Sequence, residues 1–278
     1  MPAFDCKPVE MFSAGKGGVG HYSEDRVVLG EGILGIIDGS RNSDGLTPPQ
    51  FAKLLDQCAS WIASHEAQEL AIDFFAELTV LVSKLKAELG AFDRRSSGAF
   101  VGCFFVPARG EVWRVGDCVF AIDGKVEKHT SLVEFISSNY RACIVSSLEN
   151  KRQEMFDYAV GKHSDDLLEK FLQSQTHFMN HEISRFGFGA VNGEHIPDKF
   201  VEVFPVPESA KDIIIASDGY SELGAKLAET EAIRQQQLAA DPFCIDTLMG
   251  PKGQKPGNES FDDRSFLRLR IMGLSTDF

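Results

Sequence analysis

The sequence has few basic residues, no paired cysteine motif and no long apolar run. Lys and Arg total 28 against 41 Asp and Glu, so the formal net charge is −13. Nucleic-acid binders and proteins of anionic membrane surfaces need basic patches, and this balance argues against both classes. None of the six cysteines falls in a Cys-x-x-Cys pair, which excludes a zinc ribbon and a thioredoxin motif. No run approaches the roughly 18 apolar residues that a membrane helix requires.

The first ten residues, MPAFDCKPVE, also lack the basic and apolar regions of a secretory signal. Together with unpaired cysteines, this predicts a soluble cytoplasmic protein. Of the 278 residues, 43% are apolar and 25% are charged, which is typical of a globular chain. Such a length can bury a sizeable core without disulfides or a structural metal.

Apolar runs predict strands and helices in separate blocks. Residues 26–37 predict two short strands, and residues 50–89 predict a helical pair or one long broken helix. A helix is also predicted over residues 220–240. An antiparallel meander is predicted at residues 99–106, 111–115 and 118–122. Because strands and helices do not strictly alternate, the pattern favours an α+β fold with antiparallel sheets.

The segment GKGGVG at residues 15–20 looks like the start of a phosphate loop. The full motif, G-x-x-x-x-G-K-[ST], needs a Lys for the phosphates and a hydroxyl for magnesium. His21 and Tyr22 stand at those two positions. A turn before a strand is therefore favoured, and a nucleotide-binding ATPase is the weaker alternative.

Four acidic sites lie next to predicted strands. Glu24 and Asp25 precede one strand, Asp38-Gly39 and Asp218-Gly219 each end another, and Asp262-Asp263 precedes the last. Taken singly, each is an ordinary turn or capping residue. Hard divalent cations, however, take oxygen ligands from several chain segments, so an ordered set of this kind indicates a cation site.

Five motifs in order resemble the metal-dependent protein phosphatase family, type 2C, as a divergent, bacterial-like member. They are SEDR at 23–26, GIIDGS at 35–40, WRVGDCVFAIDGK at 113–125, IIIASDGYSEL at 213–223 and FDDRSFLRLRI at 261–271. The resemblance covers about Phe12 to Ile271. It implies one domain over residues 1–278: a four-layer sandwich of two antiparallel sheets flanked by pairs of helices. Residues 131–182, a flap beside the cleft in the family, match poorly.

The resemblance also implies a catalytic centre with two or three Mg²⁺ or Mn²⁺ ions. Asp38 would bridge two of them. Asp218 and Asp262 would hold the first, and Glu24 with the backbone carbonyl of Gly39 would hold the second.

Asp117 matches the position that helps to bind a weaker third ion. Asp25 would orient a metal-bound water in the catalytic centre. Asp262 is preferred to Asp263 as the ligand because Ser265 then falls at the family's spacing; a one-residue slip would make Asp263 the ligand instead.

Two positions depart from the family. Gly20 stands where many members carry the phosphate-clamping Arg. A cation could reach the substrate instead from His21, Lys16, Arg26 or Arg41, of which Arg41 is preferred. Ser40 stands where eukaryotic members often have a His that serves as a candidate general acid.

The implied function is hydrolysis of phosphoserine and phosphothreonine by a water that the metal ions activate. The substrate would be a phosphorylated protein, and a cognate Ser/Thr kinase would be a partner. The alternative is a binding module of the same fold with little turnover, which would recognise a phosphoprotein or a kinase. The missing Arg favours that second view.

Overall fold

A computed structural model describes residues 4–41, 45–91, 93, 97–147, 171 and 174–274. Within these ranges there are four α-helices: α1 (Pro48–Ala63), α2 (Ala71–Glu88), α3 (Leu132–Ser147) and α4 (Leu227–Ala240). The first five strands are β1 (Phe4–Ala14), β2 (Asp25–Leu29), β3 (Leu34–Ser40), β4 (Ala99–Val106) and β5 (Glu111–Val115). The others are β6 (Val119–Ile122), β7 (Lys125–Glu127), β8 (Glu202–Pro205), β9 (Asp212–Ala216) and β10 (Arg264–Leu274).

The strands form two five-stranded antiparallel sheets. Sheet I has the order β2-β3-β4-β5-β8, and sheet II has the order β1-β10-β9-β6-β7. A buried cluster that includes Ile36, Phe105 and Leu267 fills the space between them. The predicted α+β sandwich of two antiparallel sheets is confirmed.

Helices α1 and α2 cover the outer face of sheet I. Phe51 of α1 and Phe74 of α2 belong to one core cluster with Phe104 and Trp113 of the sheet. Burying aromatic side chains of this size supplies much of the stability of such a layer. The helical pair predicted over residues 50–89 is confirmed, and residues 64–70 separate its two members.

The outer face of sheet II carries a smaller core. Tyr220 packs against Phe266 of β10, and Leu227 at the start of α4 joins this cluster. Helix α3 is tied to the segment after α4 because the buried Arg141 donates hydrogen bonds to the carbonyls of Phe243 and Cys244.

Two expectations need correction. The third strand of the predicted meander, β6, pairs with β7 and β9 of sheet II rather than with β5. Gly116 takes a φ of +93°, and the chain crosses there from one sheet to the other. The helix predicted over residues 220–240 begins only at Leu227.

Strand β1 had no counterpart in the sequence interpretation. It pairs with β10 along its length, and its less exposed residues Phe4, Cys6, Phe12 and Ala14 follow a period of two. Register shifts around Pro8 interrupt this signal. In the predicted flap at 131–182, residues 148–170 and 172–173 lie outside the described residues.

Candidate functional site

Two aspartates face each other where strands β2 and β3 pair. Asp25 and Asp38 are directly opposed in the antiparallel register. Like charges in this position destabilise a sheet. The pairing of Asp25 with Asp38 therefore lowers the stability of the sheet at this point.

Glycines bring further backbone close to these aspartates. A methyl group on Gly39 would overlap the carbonyl oxygen of Glu24, and one on Gly219 would overlap the carbonyl oxygen of Asp263. The Asp-Gly pairs that end β3 and β9 thus combine a carboxylate with the one residue that permits such a close approach.

Hydrogen bonds then join the two sheets at this end of the sandwich. Ser217 Oγ donates to Asp25 Oδ2 at 2.7 Å, and the Asp218 amide donates to Asp38 Oδ2 at 3.2 Å. Ser217 Oγ in turn accepts from the Ser265 amide at 2.8 Å. Asp25 of β2, Asp38 of β3 and Asp218, which follows β9, are therefore brought together from three separate parts of the chain.

Burial and mutual repulsion raise the pKa values of these carboxyls. Desolvation, followed by the charges of Asp218 and Asp25, holds the pKa of Asp38 well above its usual range. Desolvation likewise raises the pKa of Asp218, with Asp262 and Asp117 adding to it. Burial raises the pKa of Asp25 to about 7, although the Ser217 hydrogen bond opposes the shift. The ionised forms of these carboxyls therefore repel one another, and a bound cation would stabilise them.

Asp117, which follows β5, belongs to the same group. Desolvation raises its pKa, and Asp262 contributes further. Glu134 of α3 was not predicted as a site residue. Burial and Asp117 raise the pKa of Glu134 to about 8, and its Oε2 atom is buried without a hydrogen-bond partner in the described part of the chain. The sequence signal was weak, because a Glu in the first turn of a helix is common.

Asp262 and Asp263 have different environments. Asp262 Oδ1 pairs with Lys16 Nζ at 2.8 Å, and its Oδ2 pairs with Lys252 Nζ at 3.1 Å. Asp263 is buried, and its two oxygens accept from the amides of Lys16 at 2.9 Å and Glu24 at 2.8 Å. Of the two, Asp263 fixes backbone and Asp262 faces charged side chains.

The segment GKGGVG has a structural role. It follows β1 and leads towards β2, not into a helix as a phosphate loop does. The Lys16 carbonyl accepts from the amides of Glu259 at 2.9 Å and Ser260 at 3.1 Å. The loop therefore packs against the segment before β10 and brings the Lys16 side chain to Asp262.

Of the cations that could bind the substrate, Arg41 lies against Glu24. Arg41 contacts the Glu24 carboxylate through its amide at 3.3 Å and through Nε at 3.4 Å. His21 is exposed, and its ring lies over Gly17. Gly20 takes a φ of +84°, a conformation that disfavours the Arg of the family pattern.

The described residues fit a hard dication at one part of this group. No three or more His, Cys, Asp or Glu side chains within the described ranges converge as a ready metal-ligand group. Yet the donors are carboxylate oxygens, as Mg²⁺ and Mn²⁺ require, and Asp25 Oδ1 is buried without a partner among the residues described. The fit holds around Asp38 and Asp218 and fails at Asp262, whose oxygens already face two ammonium groups.

No protein-family model and no curated protein matches the sequence. Solved structures with a similar arrangement include a bacterial serine phosphatase, with 12% identity, coverage of 98% of this chain and 100% of that chain, and a TM-score of 0.49. Serine/threonine phosphatase Stp1 from Staphylococcus aureus has 12% identity, coverage of 97% and 96%, and a TM-score of 0.49.

The catalytic domain of the serine/threonine protein phosphatase PstP in complex with two manganese ions is a third such structure. It has 14% identity, coverage of 96% of this chain and 99% of that chain, and a TM-score of 0.48. At these values the likeness concerns the overall arrangement and carries no argument about individual residues or chemistry. Separately, no helix in the described part of the chain combines the length and apolar character needed to cross a membrane.

Proposed function

We propose that this chain is a divalent-cation-dependent phosphatase that hydrolyses phosphoserine and phosphothreonine esters in proteins. The observation that supports it is the group formed by Asp25, Asp38 and Asp218, whose charges are unmatched by any ion pair in the described part of the chain. Proteins seldom keep such a group unless a cation or a reaction uses it.

We assign the cation ligands to Asp38 and Asp218, with Asp117, Glu24 and the carbonyl of Gly39 as further oxygen donors. A bound dication would supply an activated water at neutral pH and would neutralise charge on the phosphoryl oxygens. The chain itself fixes the ligands: the Asp218 amide holds one oxygen of Asp38.

Other residues would serve the substrate and its water. Asp25, held by Ser217, would accept a hydrogen bond from the attacking water and orient it. Arg41 lies on the Glu24 side, where its guanidinium could contact the phosphate, and the exposed His21 would be a second candidate cation. Ser40 is a poor proton donor at neutral pH, so no role in protonating the leaving group is assigned to it.

The test is turnover of p-nitrophenyl phosphate and of phosphoserine and phosphothreonine peptides with Mn²⁺, in the presence and absence of a chelator. We expect Mn²⁺-dependent release of phosphate that Asp38→Ala and Asp218→Ala abolish. Asp246→Ala, which changes an exposed acid in the segment after α4, is the matched control and should keep wild-type activity. Phosphate release that survives the chelator or both site variants would contradict the proposal.

A second candidate is a binding module that recognises a phosphoprotein or a kinase with little turnover. It is favoured by the two lysines on Asp262 and by Gly20 at the position of the phosphate-clamping Arg. Phosphopeptide binding without turnover of any ester would support it. In either case we infer a cytoplasmic location, with a Ser/Thr kinase as the enzyme of opposite action.

A further inference from the structure

Asp262 differs from the other carboxylates of the site because both of its oxygens face a positive charge. Lys16 Nζ lies 2.8 Å from Oδ1, and Lys252 Nζ lies 3.1 Å from Oδ2. Two ammonium groups carry the same total charge as one dication. The carboxylate is thus compensated by the chain itself, at the position where a divalent cation is expected.

Lys16 is held in place by its own backbone. Its amide donates to Asp263 Oδ1 at 2.9 Å, and its carbonyl accepts from the amides of Glu259 and Ser260. These three bonds fix the base of the side chain before the ammonium reaches Asp262. An ion pair between groups that are already positioned loses little conformational entropy when it forms.

Lys252 comes from the Gly- and Pro-rich segment after α4, and its side chain is 50% exposed. Arg141 of α3 donates to the carbonyl of Gly250 at 3.4 Å, which ties down the start of this segment. The ammonium of Lys252 interacts favourably not only with Asp262 but also with Asp218 and Asp38. Its charge therefore acts on the whole side of the site that those three carboxylates form.

We propose that Lys16 and Lys252 together take the place of the dication expected between Asp218 and Asp262, so that the chain holds a single divalent cation, at Asp38. A second dication at Asp262 would meet two like charges at short range and would have to displace both. The inference rests on the proposed function, because it assumes that Asp38 binds a dication.

The test measures the number of Mn²⁺ ions bound by the full chain, from the loss of the free-ion electron paramagnetic resonance signal on titration. We expect one ion for the wild type and two for Lys252→Met, which keeps the length of the side chain and removes its charge. Lys255→Met is the matched control, because this exposed lysine lies in the same segment without an ion pair among the described residues. It should bind one ion.

A second measurement does not depend on activity. In a chelator, Lys252→Met should melt at a lower temperature than Lys255→Met, because Asp262 loses a counter-ion. Added Mn²⁺ should remove this difference. Equal melting temperatures, or one bound ion in Lys252→Met, would overturn the inference. Two ions bound by an active wild-type enzyme would overturn it and leave the proposed function intact. If neither the wild type nor Lys252→Met bound an ion, both the inference and the proposed function would be contradicted.

Discussion

Asp38 and Asp262 lie at the same end of the sandwich, but their charges are met in opposite ways. Asp38 is surrounded by other carboxylates, and desolvation together with Asp218 and Asp25 raises its pKa. Burial would also raise the pKa of Asp262, but Lys252 and Lys16 outweigh it and lower that pKa to about 2. Asp38 thus has no ion pair in the described part of the chain, whereas Asp262 has two.

This contrast teaches that acidic motifs of similar appearance need not have the same use. An aspartate beside a strand end can lie among other carboxylates, pair with lysine or hold backbone, as Asp38, Asp262 and Asp263 illustrate. Only the partners that the fold brings to each carboxylate distinguish these cases.

The largest effect is expected when the charge of Asp38 is removed. Asp38→Asn should lower phosphatase activity by at least about 100-fold, because a ligand charge is lost from the centre. In a chelator the same variant should be more stable than the wild type, because an uncompensated charge has gone. Initial rates and thermal melts measure the two effects. Lower stability in the chelator would mean that Asp38 is already compensated.

The glycine that lets β9 approach β10 can be tested next. Gly219→Ala should destabilise the chain by about 2–3 kcal/mol, because its methyl group would overlap the Asp263 carbonyl. Gly250→Ala is the control, since a methyl group there meets only ordinary contacts. Urea unfolding measures both. Equal midpoints for the two variants would show that the strand ends can separate without cost.

Asp262 and Asp263 should respond differently to the same substitution. Asp263→Asn should cost about 2 kcal/mol of unfolding free energy. Both carboxylate oxygens now accept a hydrogen bond from a backbone N–H, and the side-chain NH₂ of Asn cannot accept one of them. Asp262→Asn should cost less, since its partly exposed lysines can turn to water. Urea midpoints of the two variants decide the order, and the reverse order would exchange their roles.

The last prediction concerns the pH dependence of stability. The folded pKa of Asp25 is raised, so the folded chain binds a proton that the unfolded chain releases, and this contribution is lost as pH rises from about 4 to about 7. In a chelator, stability should fall by about 1.4 kcal/mol per pH unit in that window relative to Asp25→Asn. Parallel profiles of the two chains would show that Asp25 is ionised throughout.

The sequence predicted the fold class and the carboxylates of the site because both have local signatures. Apolar runs that end in Asp-Gly mark strands whose glycine permits close packing, as Gly39 and Gly219 do. The assignment of metal ligands from those motifs stays a prediction, including the choice of Asp262.

The ion pairs of Lys16 and Lys252 with Asp262 were missed for a physical reason. Lys16 reaches Asp262 only because its carbonyl binds the amides of residues 259 and 260, and Lys252 does so from a segment without periodic pattern. Neither contact follows from spacing along the chain. The crossing of β6 to sheet II was missed similarly, because an apolar strand after a short turn fits either sheet.

Strand β10 lies between β1 and β9, so it joins the first strand of the chain to the sheet. During synthesis, β1 emerges from the ribosome long before residues 264–274 exist to pair with it. An unpaired strand of eleven residues is open to wrong partners for that whole time, and Pro8 with its register shifts makes it a poor template for them. Because Asp262 and Asp263 immediately precede the same strand, a nascent chain cannot complete the acidic site before residues 262 and 263 have been synthesised.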